Sequence, residues 1–224
     1  MAEVKPDGAA RADARGGDGV VVIGDVVDSR AVPDRAALHA LLTDVLGRVG
    51  AGRSADLRLT VGDEYQGSVP SLGAATRLVL DLRLALLPAH DVRHGLGRGA
   101  TAVLDPAARI EDGPGWWAAR AAIDAVRGLE DRPATRGART AYRAAEGCAT
   151  PLDAALDAAL LARDELVGRL DERSLSVLRG LLSGRTQREV ATDLGITPSA
   201  VSQRVRDHGI GVVLHMTRWM EAMG

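Results

Sequence analysis

A carboxylate closes the first apolar run of this chain. Val20-Val21-Val22-Ile23-Gly24-Asp25 reads as a strand buried on both faces, with Asp25 at its end. A second acidic strand end follows in Leu57 to Val69 (LRLTVGDEYQGSV), where Gly62-Asp63 interrupts two strand-like runs. That spacing predicts a hairpin with a two-residue connection and sets Asp63 and Glu64 at its tip. Carboxylates on neighbouring strand ends supply the hard oxygen donors that Mg²⁺ or Mn²⁺ takes in phosphate chemistry. Side by side they would repel one another, a penalty that a cation removes. Asp63 equally suits a tight turn. Glu64 is read either as a third carboxylate of the site or as a solvent-facing hairpin residue.

Cationic chemistry falls to arginine, because Lys5 is the only lysine. Arg132, Arg136, Arg139 and Arg143 follow one another between Asp131 and Thr150 without an intervening acid. This is the pattern of a solvated connection, or of an arm that contacts the phosphates of a nucleotide or of DNA. Further on, Thr186-Gln187-Arg188-Glu189 is a capping box, and Thr197-Pro198 opens another helix. On that last helix Val201 and Val205 face inward, which leaves Ser199, Ser202, Gln203, Arg204 and Arg206 on other faces, with Arg185 nearby. A helix, a short Gly turn and a helix with a polar outer face form the helix-turn-helix arrangement that reads double-stranded DNA. Ser199, Gln203 and Arg204 are the candidates for base edges.

The elements that must position these groups follow from the chain in order. Residues 1 to 18 are small, polar and Gly-rich and read as a disordered tail rather than a signal peptide. Asp34 caps a helix with an apolar stripe from Leu38 to Val49, and Pro70-Ser71 starts another that Pro88 stops. Asp91 to Val103 reads as a strand whose three glycines let a ligand or another backbone come close. Within it His94 alternates with Val92 and Leu96 and is expected in the core. Gly113-Pro114-Gly115 introduces a helix over about 116–126. The order β-α-β-β-α-β-α predicts an α+β sandwich of the palm type over 19–130. An Arg-rich linker is expected at 131–150, and an all-α helix-turn-helix domain at 151–224.

Composition bounds the rest. No apolar run reaches the roughly 18 residues of a membrane span. Cys148 is the only cysteine, so a disulfide within the chain and a Cys-based zinc site are excluded. A reducing, cytoplasmic setting is expected. The net charge of −2 argues against a globally basic nucleic-acid binder but leaves room for a local basic face. Residues 171–224 carry seven Arg against six acids. So weak a charge favours a homodimer that doubles the DNA contacts. Val212, Val213, Met216, Trp219 and Met220 would supply that contact or seal the bundle core.

Three stretches, VVIGDVVDSR, DRAALHALL and LTVGDEYQG, together resemble the SatD family. That family is similar to the catalytic core of class III nucleotidyl cyclases, and the resemblance covers roughly residues 20–127. It implies Asp25 and Asp63 as the metal-binding aspartates. RHGLGRG contributes Arg93, and GWWAAR places Arg120 at the phosphate-stabilising position; Ser29 and Arg30 close the first motif and join them as nucleotide-binding residues. Where the cyclase helix carries an Asn, four residues before that Arg, this chain has Trp116. Its indole cannot make the same hydrogen bond to a ribose oxygen, and one of Trp116 and Trp117 is expected in the core. The stretch from Leu170 to Val205 resembles the LuxR-type and sigma-factor region-four helix-turn-helix families. The expectation is a DNA-binding transcriptional regulator whose N-terminal domain senses a nucleotide or its metal complex. The alternatives are an active metal-dependent nucleotidyl-transfer enzyme, and an N-terminal domain that is only a dimerisation scaffold.

Overall fold

Val20–Val26 has the composition of a strand covered on both sides. In the computed structural model, which describes residues 14–15 and 19–223, all of its residues are buried. The strands are β1 (Ala14–Arg15), β2 (Val20–Val26), β3 (Asp56–Leu59), β4 (Tyr65–Val69), β5 (Val92–Arg98), β6 (Thr101–Asp105), β7 (Ile110–Asp112) and β8 (Thr140–Ala144). The helices are α1 (Arg35–Ala51), α2 (Leu72–Leu86), α3 (Pro114–Glu130), α4 (Asp153–Gly168), α5 (Glu172–Leu182), α6 (Gln187–Asp193), α7 (Pro198–Asp207) and α8 (Ile210–Glu221). None of them is long and apolar enough to cross a membrane.

The chain is α+β. Its main sheet runs β3-β4-β2-β5-β8, antiparallel except for the parallel β5–β8 pair, and β1-β6-β7 form a smaller second sheet. Alternation along β2 sorts its side chains between two layers. Val20 and Val22 join the core under α1, α2 and α4, while Val21 and Ile23 meet Trp116, Ala119 and Ile123 of α3. The glycines of β5 admit a backbone. A Cβ at Gly95 or Gly97 would overlap the carbonyl oxygens of Ala119 and Gly115, so α3 lies directly on the strand. The helix starts stand where capping residues announced them. Asp34, Ser71 and Thr197 each accept a backbone N–H from the first turn, and Thr186 and Glu189 make the reciprocal box; Asp171, not singled out from the sequence, caps α5 in the same way.

Several expectations are corrected. The segment 131–150 is not a linker: β8 lies within it and extends the main sheet. Its charges hid a short strand, because Arg139 is paired with Asp91 and Glu130, and Arg143 with Asp157. The hairpin connection is wider than two residues. It spans Thr60 to Glu64, closed by the Thr60 N–H on the Glu64 carbonyl at 2.8 Å, with Gly62 at a φ of 69°. The helices from α5 onward do not stand apart as a domain. Leu80 and Leu84 of α2 belong to the same core as Leu175, Leu178, Val201 and Val213. Arg77 donates to the Leu182 carbonyl at 2.9 Å, and Arg179 to that of Leu84 at 2.7 Å. The tail of 1–18 lies outside the described residues except for Ala14–Arg15, which pair with β6.

Candidate nucleotide-binding cleft

Asp25 is the last residue but one of the buried strand β2, and the chain then leaves the sheet through Val27 to Ala31, anchored by the Val27 N–H on the Asp91 carbonyl at 2.9 Å. The β3–β4 tip bends back toward this point, and Asp63 Oδ2 accepts the Val26 N–H at 3.1 Å. Asp25 and Asp63 therefore face one cleft of about 640 Å³, together with Asp28, Glu64, Ser29, Arg30, Arg93 and Arg127. Arg93 is the register partner of Asp25 on β5. Its Nε donates to Asp25 Oδ1 at 2.8 Å, and its Nη1 to Glu130 at 2.7 Å. Arg127, in the last turn of α3, donates to Asp25 Oδ2 at 2.5 Å. Glu64 is held by both terminal nitrogens of Arg120 at 2.9 Å. Glu64 thus lines the cleft while paired with Arg120, and Arg120 stands beside the cleft rather than in its lining.

Five of the six residues expected at the metal and nucleotide therefore converge. The donors do not fit a divalent cation as they stand. Both oxygens of Asp25 accept guanidinium protons, and one oxygen of Asp63 is spent on the Val26 N–H while the other is 3.5 Å from Arg35. Among the described residues no group of three His, Cys, Asp or Glu is placed to hold a metal. Sequence reasoning missed Arg127. The signal was its spacing, seven residues after Arg120 and so two turns along the same helix face.

Trp116 is buried against β2, and Trp117 is exposed with its indole N–H on Asp112 at 2.9 Å. His94 is a core histidine: the Tyr65 hydroxyl is 2.6 Å from Nε2, and burial, aided by the Arg83 and Arg163 charges, pulls its pKa down to about 3. The residues expected on DNA share the α6–α7 surface but differ in freedom. Ser199 and Gln203 are exposed, and Arg206 is exposed with one nitrogen on Ser202 Oγ at 2.9 Å. Arg204 instead reaches back to Asp171 and Ser174 at 2.9 and 2.8 Å, and Arg185 is paired with Asp193. On α8, Val213 and Met220 seal the core while Val212 and Trp219 stay exposed.

Solved structures similar to this chain include nucleotidyl cyclases. The dimeric guanylyl cyclase domain of the RhoGC fusion protein from the aquatic fungus Blastocladiella emersonii is 16% identical, with a TM-score of 0.42 over 50% of this chain and 77% of that one. The adenylyl cyclase CyaB from P. aeruginosa is 16% identical, with a TM-score of 0.39 over 48% and 71%. A bacterial light-regulated adenylyl cyclase is 15% identical, with a TM-score of 0.44 over 54% of this chain and 42% of that one. No curated protein matches the chain. The SatD family model matches residues 19–222, across the sheet and the C-terminal helices alike, and the chain belongs to the SatD family.

Proposed function

We propose that the chain is a nucleotide-binding protein and that the cleft between the end of β2 and the β3–β4 tip takes the phosphates. The observation that carries this reading is the convergence of three arginines, Arg30, Arg93 and Arg127, on a cleft whose lining also holds the carboxylates of Asp25, Asp28, Asp63 and Glu64. Planar guanidinium groups match phosphate oxygens in pairs and keep their charge at any physiological pH. The cleft's size also falls within the range of about 300–1,000 Å³ usual for small-molecule sites. Binding is favoured over nucleotidyl transfer, because each oxygen of Asp25 already accepts a guanidinium N–H, and a catalytic dication there would face both arginine charges at close range. A regulatory role on DNA is the second reading, and the exposed polar face of α7 at Ser199, Gln203 and Arg206 favours it. Retention of the chain by DNA in gel shifts tests that reading separately.

Thermal unfolding and calorimetry against the common nucleoside triphosphates and cyclic monophosphates, each with and without Mg²⁺ or Mn²⁺, test the first. At a hundredfold excess over Kd a ligand adds about 2.7 kcal/mol to stability, which is several degrees in Tm for a chain of this size. At least one nucleotide is expected to saturate with such a shift. If none does under either condition, the reading is wrong.

A further inference from the structure

The carboxylate of Asp25 is spoken for on both sides, by Arg93 Nε on Oδ1 at 2.8 Å and by Arg127 Nη2 on Oδ2 at 2.5 Å. A dication bound to Asp25 would displace two charge-assisted hydrogen bonds and then face two positive charges at close range. Arg93 has little room to withdraw, since its side chain is 18% exposed and held from behind by Glu130. Arg127 differs. It is 41% exposed at the end of α3, and its other nitrogen rests on the exposed Asp124. One guanidinium of the pair is thus fixed by the sheet, and the other can turn into the cleft.

We propose that Arg93 and Arg127 are themselves the cation of this site, so that phosphates bind to the pair directly and without a divalent metal. Asp25 is then the internal anion that holds the two guanidinium groups together until a phosphate takes its place on Arg127. A phosphate group competes well there, because it brings more negative charge and more acceptor oxygens than one carboxylate, and Arg30 lines the same cleft. The inference rests on the nucleotide reading and narrows it to ligands recognised through phosphate oxygens. It also reverses the role of one residue. A metal site makes Asp25 a ligand whose loss abolishes binding, whereas the arginine pair makes it a competitor whose loss strengthens binding.

Calorimetry of the full chain with inorganic triphosphate, ATP and GTP, in EDTA and in Mg²⁺, separates the two. The expected result is binding in EDTA within about threefold of that in Mg²⁺. Arg127→Gln should weaken it by about tenfold or more, the worth of one hydrogen bond between charged groups, and Asp25→Asn should tighten it severalfold. Should Asp25→Asn fail to fold by circular dichroism, Arg127→Gln in EDTA decides alone, its side chain being half in solvent. Binding that requires Mg²⁺, or that Arg127→Gln leaves unchanged, overturns the inference and leaves nucleotide binding standing. Silence from every probe in both buffers overturns the two together.

Discussion

His94 lies wholly inside the protein with its Nε2 on the Tyr65 hydroxyl, and among the described residues its Nδ1 has no hydrogen-bond partner. Burial, with the charges of Arg83 and Arg163 nearby, keeps the folded imidazole neutral down to about pH 3. The unfolded chain takes up that proton near the ordinary value of about 6.5. Between these two values the unfolded state binds more protons, so stability falls as pH drops, by about 1.4 kcal/mol per pH unit for this one group. Above the unfolded value the term is constant. Urea midpoints measured from neutral pH to about pH 5 should show this slope in the wild type and lose it in His94→Gln, whatever the variant's stability at neutral pH. An equal slope in both proteins would move the effect to another histidine. The same burial explains what could be read from this residue's neighbours: alternation with Val92 and Leu96 marked it as core. Arg127 is harder to read: its spacing from Arg120 marks only a shared helix face, and its partner Asp25 is 102 residues away.

At the level of elements, the caps and apolar stripes were legible because their signals are local. Asp34, Ser71, Thr186 and Thr197 satisfy N–H groups within the next turn, which the neighbouring residues alone determine. Strand β8 was not legible. Its five residues, Thr140 to Ala144, sit in a charged stretch, and they extend only because β5 offers an open edge to pair with. The glycines of β5 fall between these cases: close approach was readable, but what approaches was not. Since α3 lies on Gly97 and carries Arg120 and Arg127, Gly97→Ala should push the helix off the sheet. Overpacking of this kind costs about 1–3 kcal/mol or more, and nucleotide affinity should fall with it. Gly128→Ala in the same helix is the control. A Cβ there meets nothing within 4 Å, so Gly128→Ala should stabilise by roughly 0.5–1 kcal/mol. Urea denaturation of the two variants should give shifts of opposite sign. A Gly97→Ala protein as stable as wild type would mean that α3 does not rest on β5 this closely.

Across the whole molecule, a ladder of alternating charge leads from the cleft to the far side of the sheet. Arg93 joins Asp25 to Glu130 at 2.8 and 2.7 Å, and Arg139 joins Glu130 to Asp91 at 3.2 and 2.7 Å. Arg83 then joins Asp91 to the buried Asp164 of α4 at 2.7 and 3.3 Å. Burial alone would raise the carboxyl of Asp91, but Arg83 and Arg139 outweigh it and hold that group below the usual carboxylate range. Each inner member has two partners of opposite sign, so removing one leaves its half-buried neighbours with a single partner each, and the ladder ties the cleft to the far side of the sheet through shared charges. The apolar contacts point the same way. Leu80 and Leu84 extend α2 into the core of the C-terminal helices, and Met220 of α8 returns to the core under the sheet. Sheet and C-terminal helices should therefore unfold as one unit. Scanning calorimetry is expected to show one transition, with the van't Hoff enthalpy equal to the calorimetric one. Leu84→Ala, in a side chain only 3% exposed, should lower that single transition by about 2–5 kcal/mol without splitting it. Two resolved transitions, with only the one belonging to the C-terminal helices moved by Leu84→Ala, would show that the two parts hold together separately.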